Sequence, residues 1–440
     1  MPKPVVAIIG RPNVGKSTLF NRLLGWREAI VADMPGTTRD RVFAEASWED
    51  IPFLLVDTGG LEPFPTDPLR ERVTAQVQMA LEETDVIIWL LDALDGPTPM
   101  DQEIADLLRR RGKPVLVAVN KADNERRAQG WAEFYTLGMG DPLPISAYHN
   151  LGIADLMERV VALLPPWVEP EEPKEVLRLA IVGRTNVGKS LLLNAILGQE
   201  RAIVSELPGT TRDALDTPFS YDGQRVTLID TAGIRRRGHI QQGVERYSVL
   251  RAIRAVERAD VALVVTDATE LATAQDAHVA GLAWESYKGV VLVVNKWDLA
   301  PSIPLDKVAC QGSIRQRLPF LSNAPVCFTS ALQREGIQEL LDTALALYRE
   351  RQTQVPQAQV HQVVLQALAE HPPPSQRRRH LKLHRVFQGS VNPPTFVFLV
   401  NDARLLHFSY MRYLENRLRA ALGFPHTHLR LVFKKGQGAK

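Results

Sequence analysis

The chain has 440 residues, 45% of them apolar and 23% charged, with a formal net charge of +2, which is room for two or three ordinary globular domains. Its two cysteines, Cys310 and Cys327, form no close pair, so a disulfide framework or a zinc site is excluded and a reducing cytoplasm is expected. No apolar run approaches the roughly 18 residues that span a bilayer, so a soluble chain without a membrane partner is expected.

In chain order, the first element is Val5–Ile9, a continuous apolar run too short for a signal-peptide core and better suited to a buried strand. It leads into Gly10-Arg11-Pro12-Asn13-Val14-Gly15-Lys16-Ser17-Thr18. Gly-x4-Gly-Lys-Ser between a strand and a helix is a phosphate loop. Gly10 and Gly15 let the backbone curl so that successive amides face a phosphate, and the helix from Lys16 adds its positive end. Lys16 is placed to reach the β- and γ-phosphates, and Ser17 to ligate Mg²⁺. Pro35–Asp40 is a glycine-containing loop in which Thr37 or Thr38 is expected to ligate Mg²⁺ only while a γ-phosphate is present, an order-to-disorder switch.

Phe53–Val56 reads as the next strand and ends at Asp57-Thr58-Gly59-Gly60. Asp57 there can hold Mg²⁺ through water, and Gly60 can offer its amide to the γ-phosphate. Val86–Leu91 and Val115–Val119 are further buried strands, and residues 101–110 and 153–164 have helical spacing. Asn120-Lys121-Ala122-Asp123 follows the last of these strands. Guanine offers N1–H and N2–H₂ as adjacent donors, and Asp123 can accept both; adenine would leave that carboxylate unpaired. Discrimination on the order of 10⁴-fold follows, so the ligand is GTP/GDP and not an adenine nucleotide. Asn120 and the stem of Lys121 should brace the loop, with backbone amides of Ser146 and Ala147 in support.

The whole series then recurs. Gly183-Arg184-Thr185-Asn186-Val187-Gly188-Lys189-Ser190-Leu191, the Thr210/Thr211 pair, and Asp230-Thr231-Ala232-Gly233 repeat the first copy at an offset of 173. Asn295-Lys296-Trp297-Asp298 repeats at 175, and Ser330-Ala331 at 184. Five motifs twice in one order mark a duplicated domain. The same roles pass to Lys189, Ser190, Thr210 or Thr211, Asp230, Gly233 and Asp298. Alternating strands and helices predict α/β, doubly wound, mostly parallel sheets with ligands beyond the strand C-termini. The expected boundaries are 1–164, an acidic proline-rich linker over 165–175, 176–349, and a third domain over 350–440.

That third domain carries 14 Lys/Arg against 3 Asp/Glu over residues 351–440, leaving a net of −9 on the rest of the chain. A basic module on an acidic body points to a polyanion-facing surface. Val360–Glu370 is expected as helix, Leu381–Gln388 and Thr395–Val400 as strands, Ser409–Leu422 as helix and Leu429–Phe433 as a last strand. Arg377, Arg378, Arg379, Lys382, Arg385, Lys434 and Lys435 are its candidate RNA contacts, directed at the phosphate backbone. Docking on the GTPase domains is the alternative role.

The position after Asp-x-x-Gly, where a water-orienting glutamine would stand, holds Leu61 and Ile234, which cannot orient water. Arg235, Arg236 and Arg237 could look like built-in arginine fingers, or belong to a mobile switch or an interdomain contact.

Two such GTPase copies, followed by Asn392–Asp402 and Ser409–Asn416, resemble the EngA/Der family of double-Era-like bacterial GTPases over essentially the whole chain. The resemblance implies P-loop GTPase domains in tandem, a small C-terminal α+β KH-like domain, and maturation of the large ribosomal subunit through its rRNA by a monomeric protein. The Gly-x-x-Gly loop of an ordinary KH domain is absent, since Gly389-Ser-Val-Asn-Pro lacks the second glycine. Related GTPases with an apolar residue after Asp-x-x-Gly use K⁺ beside the phosphates, which implies Asn13, and in the second copy Asn186, as its ligand. The alternative function is a GTPase assisting another RNA-directed process such as tRNA modification. A membrane-linked role lacks a spanning or strongly amphipathic basic helix.

Overall fold

A computed structural model of the chain describes residues 3–24, 43–60, 77–78, 80–81, 84–110, 112–123, 129–166, 176–199, 202–204, 216–231, 248–302, 306–373, 381–402 and 405–435. The chain divides into two compact units, residues 1–171 and 172–440.

The first unit is built on a six-stranded sheet. Its strands are β1 (Val5–Ile9), β2 (Phe43–Trp48), β3 (Ile51–Asp57), β4 (Val86–Asp92), β5 (Val115–Asn120) and β6 (Leu143–Pro144), in the order β2-β3-β1-β4-β5-β6. All neighbours run parallel except β2, which is antiparallel to β3. Helices α1 (Lys16–Leu24), α2 (Pro99–Arg109) and α3 (Ile153–Leu163) pack on it. The alternation along β1 explains its unbroken apolar run. Val6 and Ile8 face Leu19 and Phe20 of α1 and Leu156 and Val160 of α3, while Ala7 and Ile9 face Trp89 and Ile104 and Leu108 of α2. Both faces are covered, so neither can be polar.

β2 is the strand that hydropathy does not single out: an edge strand needs less apolar surface, and Glu45 and Ser47 interrupt it. Its hairpin closes across Glu49 and Asp50, with φ of 49° and 64°, the left-handed pair that matches strand twist.

The second unit contains a seven-stranded sheet and a three-stranded one. The larger comprises β7 (Val176–Val182), β8 (Ala202–Val204), β9 (Thr217–Tyr221), β10 (Gln224–Ile229), β11 (Val261–Asp267), β12 (Gly289–Asn295) and β13 (Val326–Phe328). Its order is β13-β12-β11-β7-β10-β9-β8, the first fold again with one more antiparallel edge strand. The same hairpin recurs over Asp222 and Gly223, at φ 49° and 75°. Its helices are α4 (Lys189–Leu197), α5 (Ser248–Arg258), α6 (Ala274–Glu285), α7 (Lys307–Arg317) and α8 (Ile337–Arg351).

The small sheet holds β14 (Leu383–Ser390), β15 (Thr395–Val400) and β16 (Arg430–Lys435), with β14 antiparallel and β16 parallel to the central β15. Helices α9 (Gln357–Glu370) and α10 (Phe408–Leu422) cover one face. Val386, Phe396, Phe398 and Val400 pack there against Val360, Val364, Leu414 and Leu418.

This small domain docks on the second GTPase fold through buried polar groups. Arg351, 1% exposed at the end of α8, donates from Nε to Asn392 Oδ1 at 2.9 Å and from Nη2 to Tyr287 O at 2.9 Å. Asn392 Nδ2 donates in turn to Asp260 Oδ1 at 2.6 Å. Glu350 Oε1 accepts the backbone N–H groups of His426 and Thr427 at 3.0 and 2.9 Å. The His428 ring lies 4.1 Å from that of Trp284 and 4.6 Å from that of Tyr287. Among the described residues no helix is long and apolar enough to cross a membrane.

Candidate nucleotide sites at the strand ends

The turn after β1 depends on two glycines. Gly10 sits at φ 147° and Gly15 at φ 99°, and a Cβ on either would lie 2.3 Å from Leu90 O or 2.4 Å from Asn120 Nδ2. No larger residue lets the loop pass so close under β4 and β5. Lys16, 8% exposed, curls back and donates from Nζ to Gly10 O at 2.8 Å and Arg11 O at 2.9 Å. Ser17 Oγ donates to Asp57 Oδ2 at 2.7 Å, and Asp57 Oδ1 accepts Gly59 N–H at 2.9 Å. Thr58 Oγ1 ties that turn to Ile8 O at 2.8 Å. A buried ammonium, a helix start and a hydroxyl beside a carboxylate can together receive a polyphosphate and a hard cation.

Asn120 is the clasp of the site. Its Nδ2 donates to Val14 O at 2.8 Å and its Oδ1 accepts Ala147 N–H at 2.9 Å, so one side chain joins the loop after β1, the end of β5 and the turn after β6. Ser146 donates from Oγ to Asp123 Oδ1 at 2.7 Å. The expectation that Ser146 and Ala147 act through backbone amides is thus refined: Ser146 aims the carboxylate with its hydroxyl, and the Ala147 amide serves Asn120. Lys121, at φ 67°, pairs with buried Asp92 at the end of β4, laying its stem along the site.

The second copy repeats this frame. Gly183 and Gly188 hold φ of 150° and 94°, and Lys189 Nζ donates to Gly183 O at 2.8 Å and to Arg184 O. Asn295 Nδ2 donates to Val187 O at 2.8 Å, and its Oδ1 accepts Ala331 N–H at 3.0 Å and Thr329 Oγ1–H at 3.2 Å. Lys296 pairs with Asp267 at 2.7 Å. Burial pushes the Asp267 carboxyl up, but hydrogen bonds from Lys296 and Thr269 outweigh it and hold it below the usual carboxylate range. Asp298 lies in the 3₁₀ turn Trp297–Ser302, whose Trp297 ring packs 4.4 Å from that of Phe328.

The copies differ at the aspartate. Asp57 is the last residue of β3, whereas Asp230 lies one residue beyond β10 at φ 52°, with its N–H donating to Asp216 Oδ1 at 2.9 Å.

In the first copy Gly10–Thr18, Asp57, Thr58, Gly60, Asn120, Lys121, Asp123, Ser146 and Ala147 converge beyond the C-terminal ends of β1, β3 and β5. In the second, Gly183–Leu191, Asp230, Thr231, Asn295, Lys296, Asp298, Ser330 and Ala331 lie at the matching ends. Thr37, Thr38, Leu61, Thr210, Thr211, Gly233, Ile234, Arg235–Arg237 and Arg377–Arg379 lie outside the described residues. Lys382 and Arg385 are exposed at the β14 edge, Arg385 packing over the Phe387 ring at 5.2 Å, and Lys434 and Lys435 end β16. Sequence reasoning missed Asp92 and Asp267; the signal was available, since the apolar runs VIIWLLD and VALVVTD both stop on aspartate.

The family described as 50S ribosome-binding GTPase matches residues 5–121 and again 178–296. The family described as the KH-domain-like C-terminal domain of EngA bacterial GTPase enzymes matches residues 354–434. GTPase Der of Moorella thermoacetica is 51% identical over 437 residues, 99% of this chain and 100% of that protein. GTPase Der of Thermomicrobium roseum is 50% identical over 444 residues, 99% of this chain and 96% of that protein. Among solved structures, an Aquifex aeolicus Era variant bound to GDP.AlF4- is 25% identical, with a TM-score of 0.32 over 58% of this chain and 88% of that one. With two GTPase folds in one chain, a matching C-terminal domain, and half of its residues shared with these relatives along its whole length, the chain belongs to the Der (EngA) family of tandem-domain GTPases, which hydrolyse GTP.

Proposed function

We propose that this GTPase is a switch in assembly of the large ribosomal subunit, in which GTP on the two loops sets whether the basic C-terminal domain can engage rRNA. The observation that carries it is the joining of a +11 module, residues 351–440, to a GTPase fold whose family description is ribosome binding. Phosphate-directed binding through Lys382, Arg385, Lys434, Lys435 and the Arg377–Arg379 run would be salt-sensitive. The domain boundaries 1–164, 176–349 and 350–440 and a monomeric, cytoplasmic protein complete the reading.

At each site Asp123 or Asp298 accepts the guanine N1–H and N2–H₂ donors, held in line by Asn120 or Asn295. Lys16 and Lys189 neutralise phosphate charge, and Gly60 and Gly233 offer amides to the γ-phosphate. The Ser17 hydroxyl 2.7 Å from Asp57 is a donor set suited to Mg²⁺, completed by Thr37 or Thr38; Ser190, Asp230 and Thr210 or Thr211 are its counterparts. Asn13 and Asn186 are exposed at the loop crests, at φ 67° and 63°, and are assigned to K⁺. A divalent and a monovalent cation held there supply positive charge where a water-orienting glutamine is lacking.

Co-sedimentation with large ribosomal subunits in potassium buffer tests this, with GDP or a non-hydrolysable GTP analogue and with Lys16→Ala and Lys189→Ala alongside. Binding with the analogue but not GDP, lost in at least one variant, is expected. No binding in any nucleotide state would sink the ribosomal role, and tRNA captured instead would establish the other RNA-directed process.

A further inference from the structure

The residue after the first glycine of each phosphate loop is an arginine, and its two ends point in opposite directions. The carbonyl of Arg11, and likewise of Arg184, accepts from the loop lysine. The side chain turns away, to the first turn of the helix that follows β4 or β11. In the first copy Arg11 Nε donates to Asp101 Oδ1 at 3.1 Å, with Nη1 and Nη2 each 3.4 Å from Asp95 Oδ2. Asp101 is fully buried, and its other oxygen accepts Thr98 N–H at 2.9 Å and Oγ1–H at 2.7 Å. The carboxylate that grips the arginine is therefore itself locked into the capping box of α2.

The second copy has the same parts in a different state. Asp276 Oδ2 accepts Thr273 N–H and Thr266 Oγ1–H, both at 3.0 Å, in the capping box of α6. Arg184 Nε, however, stands 3.7 Å from Asp276 Oδ1, and both atoms are buried without a hydrogen-bond partner. The guanidinium pairs instead with exposed Glu270 at 2.6 Å. Two complementary buried groups left just out of reach favour closing the gap.

We propose that Arg11 and Arg184 are positioning residues of the two phosphate loops, their clasp onto the following helix being closed in the first domain and open in the second until phosphates bind. The proposal rests on reading the loops as GTP sites. Closing the clasp moves the Arg184 carbonyl and with it the lysine that carbonyl holds. The first domain meets its nucleotide with the loop already set; the second sets its loop on binding.

GDP titrations of the full chain test this, with Lys189→Ala silencing the second site to read the first, and Lys16→Ala the reverse. Thermal unfolding of the nucleotide-free protein is the second readout. Arg184→Ala is expected to weaken GDP binding in the second domain about tenfold, within the roughly hundredfold that a 1 Å misplacement can cost. The nucleotide-free unfolding midpoint should stay in place, because the contact is not yet made. Asp276→Asn should do the same, and the double variant no more than either alone. In the first domain Arg11→Ala should lower affinity and midpoint together. If it does not fold, Asp101→Asn, which keeps the Thr98 contacts, carries that arm. Unchanged GDP affinity in Arg184→Ala, or additive losses in the double variant, overturns the clasp. Single-lysine parents that bind no GDP would overturn the nucleotide assignment itself, and the clasp with it.

Discussion

Asn120 and Asn295 show how a single amide side chain can set the geometry of a site assembled from distant segments. Each donates to the phosphate loop and accepts from the turn that supports the base-reading aspartate. Buried at 3% and 1% exposure, they keep both amide ends satisfied, which any substitution would break. The aspartates they hold decide the base. Asp123→Asn replaces a two-donor acceptor by a mixed amide, so GDP affinity at the first site should fall on the order of 10⁴-fold. Xanthine, with a carbonyl acceptor at C2, should gain. Competition between GDP and XDP on the Lys189→Ala background measures it, and unchanged preference would remove Asp123 from the base site.

The loops are the elements in which backbone conformation, rather than side-chain chemistry, limits the choice of residue. Gly15→Ala forces a Cβ into φ 99° and to 2.4 Å from Asn120 Nδ2. Left-handed backbone alone costs about 1–2 kcal/mol for a non-glycine residue, and the amide must also be displaced. GDP binding at the first site is expected to weaken by more than about tenfold, with the second site untouched, as isothermal titration of each lysine variant can read. Most of these elements were legible beforehand. The run Val5–Ile9 and its relatives were buried strands because both sheet faces are covered, and glycine spacing marked the turn. The edge strand Phe43–Trp48 was not legible, since an edge needs neither a continuous nor a cleanly alternating apolar pattern. Nor was Arg11 or Arg184: an arginine beside a phosphate loop reads as a phosphate ligand until its side chain is seen turned to the helix behind.

At the scale of the second unit, the contact between the GTPase fold and the small domain is polar and buried. Burial lowers the Arg351 guanidinium to about 10 and the His428 imidazole to about 3, Arg419 and Arg351 adding to the latter. The sign follows directly. Between its ordinary value of 6.5 and about 3, His428 takes up a proton in the unfolded chain but not in the folded one, so stability falls as pH drops through that window. Glu415, 3.7 Å from the ring and pushed up by burial, acts in the opposite sense near the acid end. The comparison with His428→Gln isolates the imidazole. Below the upper end of the window the native chain should lose about 1.4 kcal/mol per pH unit more than the variant in urea unfolding. Parallel curves would show that the imidazole is not held neutral at this contact.

The amino-acid sequence by itself determined the duplication, the fold class, the ligand and nearly every residue at the two sites. These are local matters: a phosphate loop needs its glycines and lysine within eight positions, a guanine reader needs its carboxylate beside its asparagine, and a buried strand needs an unbroken apolar run. Only the tertiary structure decided which distant groups meet them. Ser17 and Asp57 are 40 positions apart, Asn120 and Val14 are 106, and Arg351 and Asn392 belong to different domains. Tertiary structure alone also separated two loops of nearly the same sequence, one clasped at 3.1 Å and one standing open at 3.7 Å. Spacing along the chain carries no information about such pairs, because packing of the sheet and its helices, not the covalent backbone, sets the distance between them.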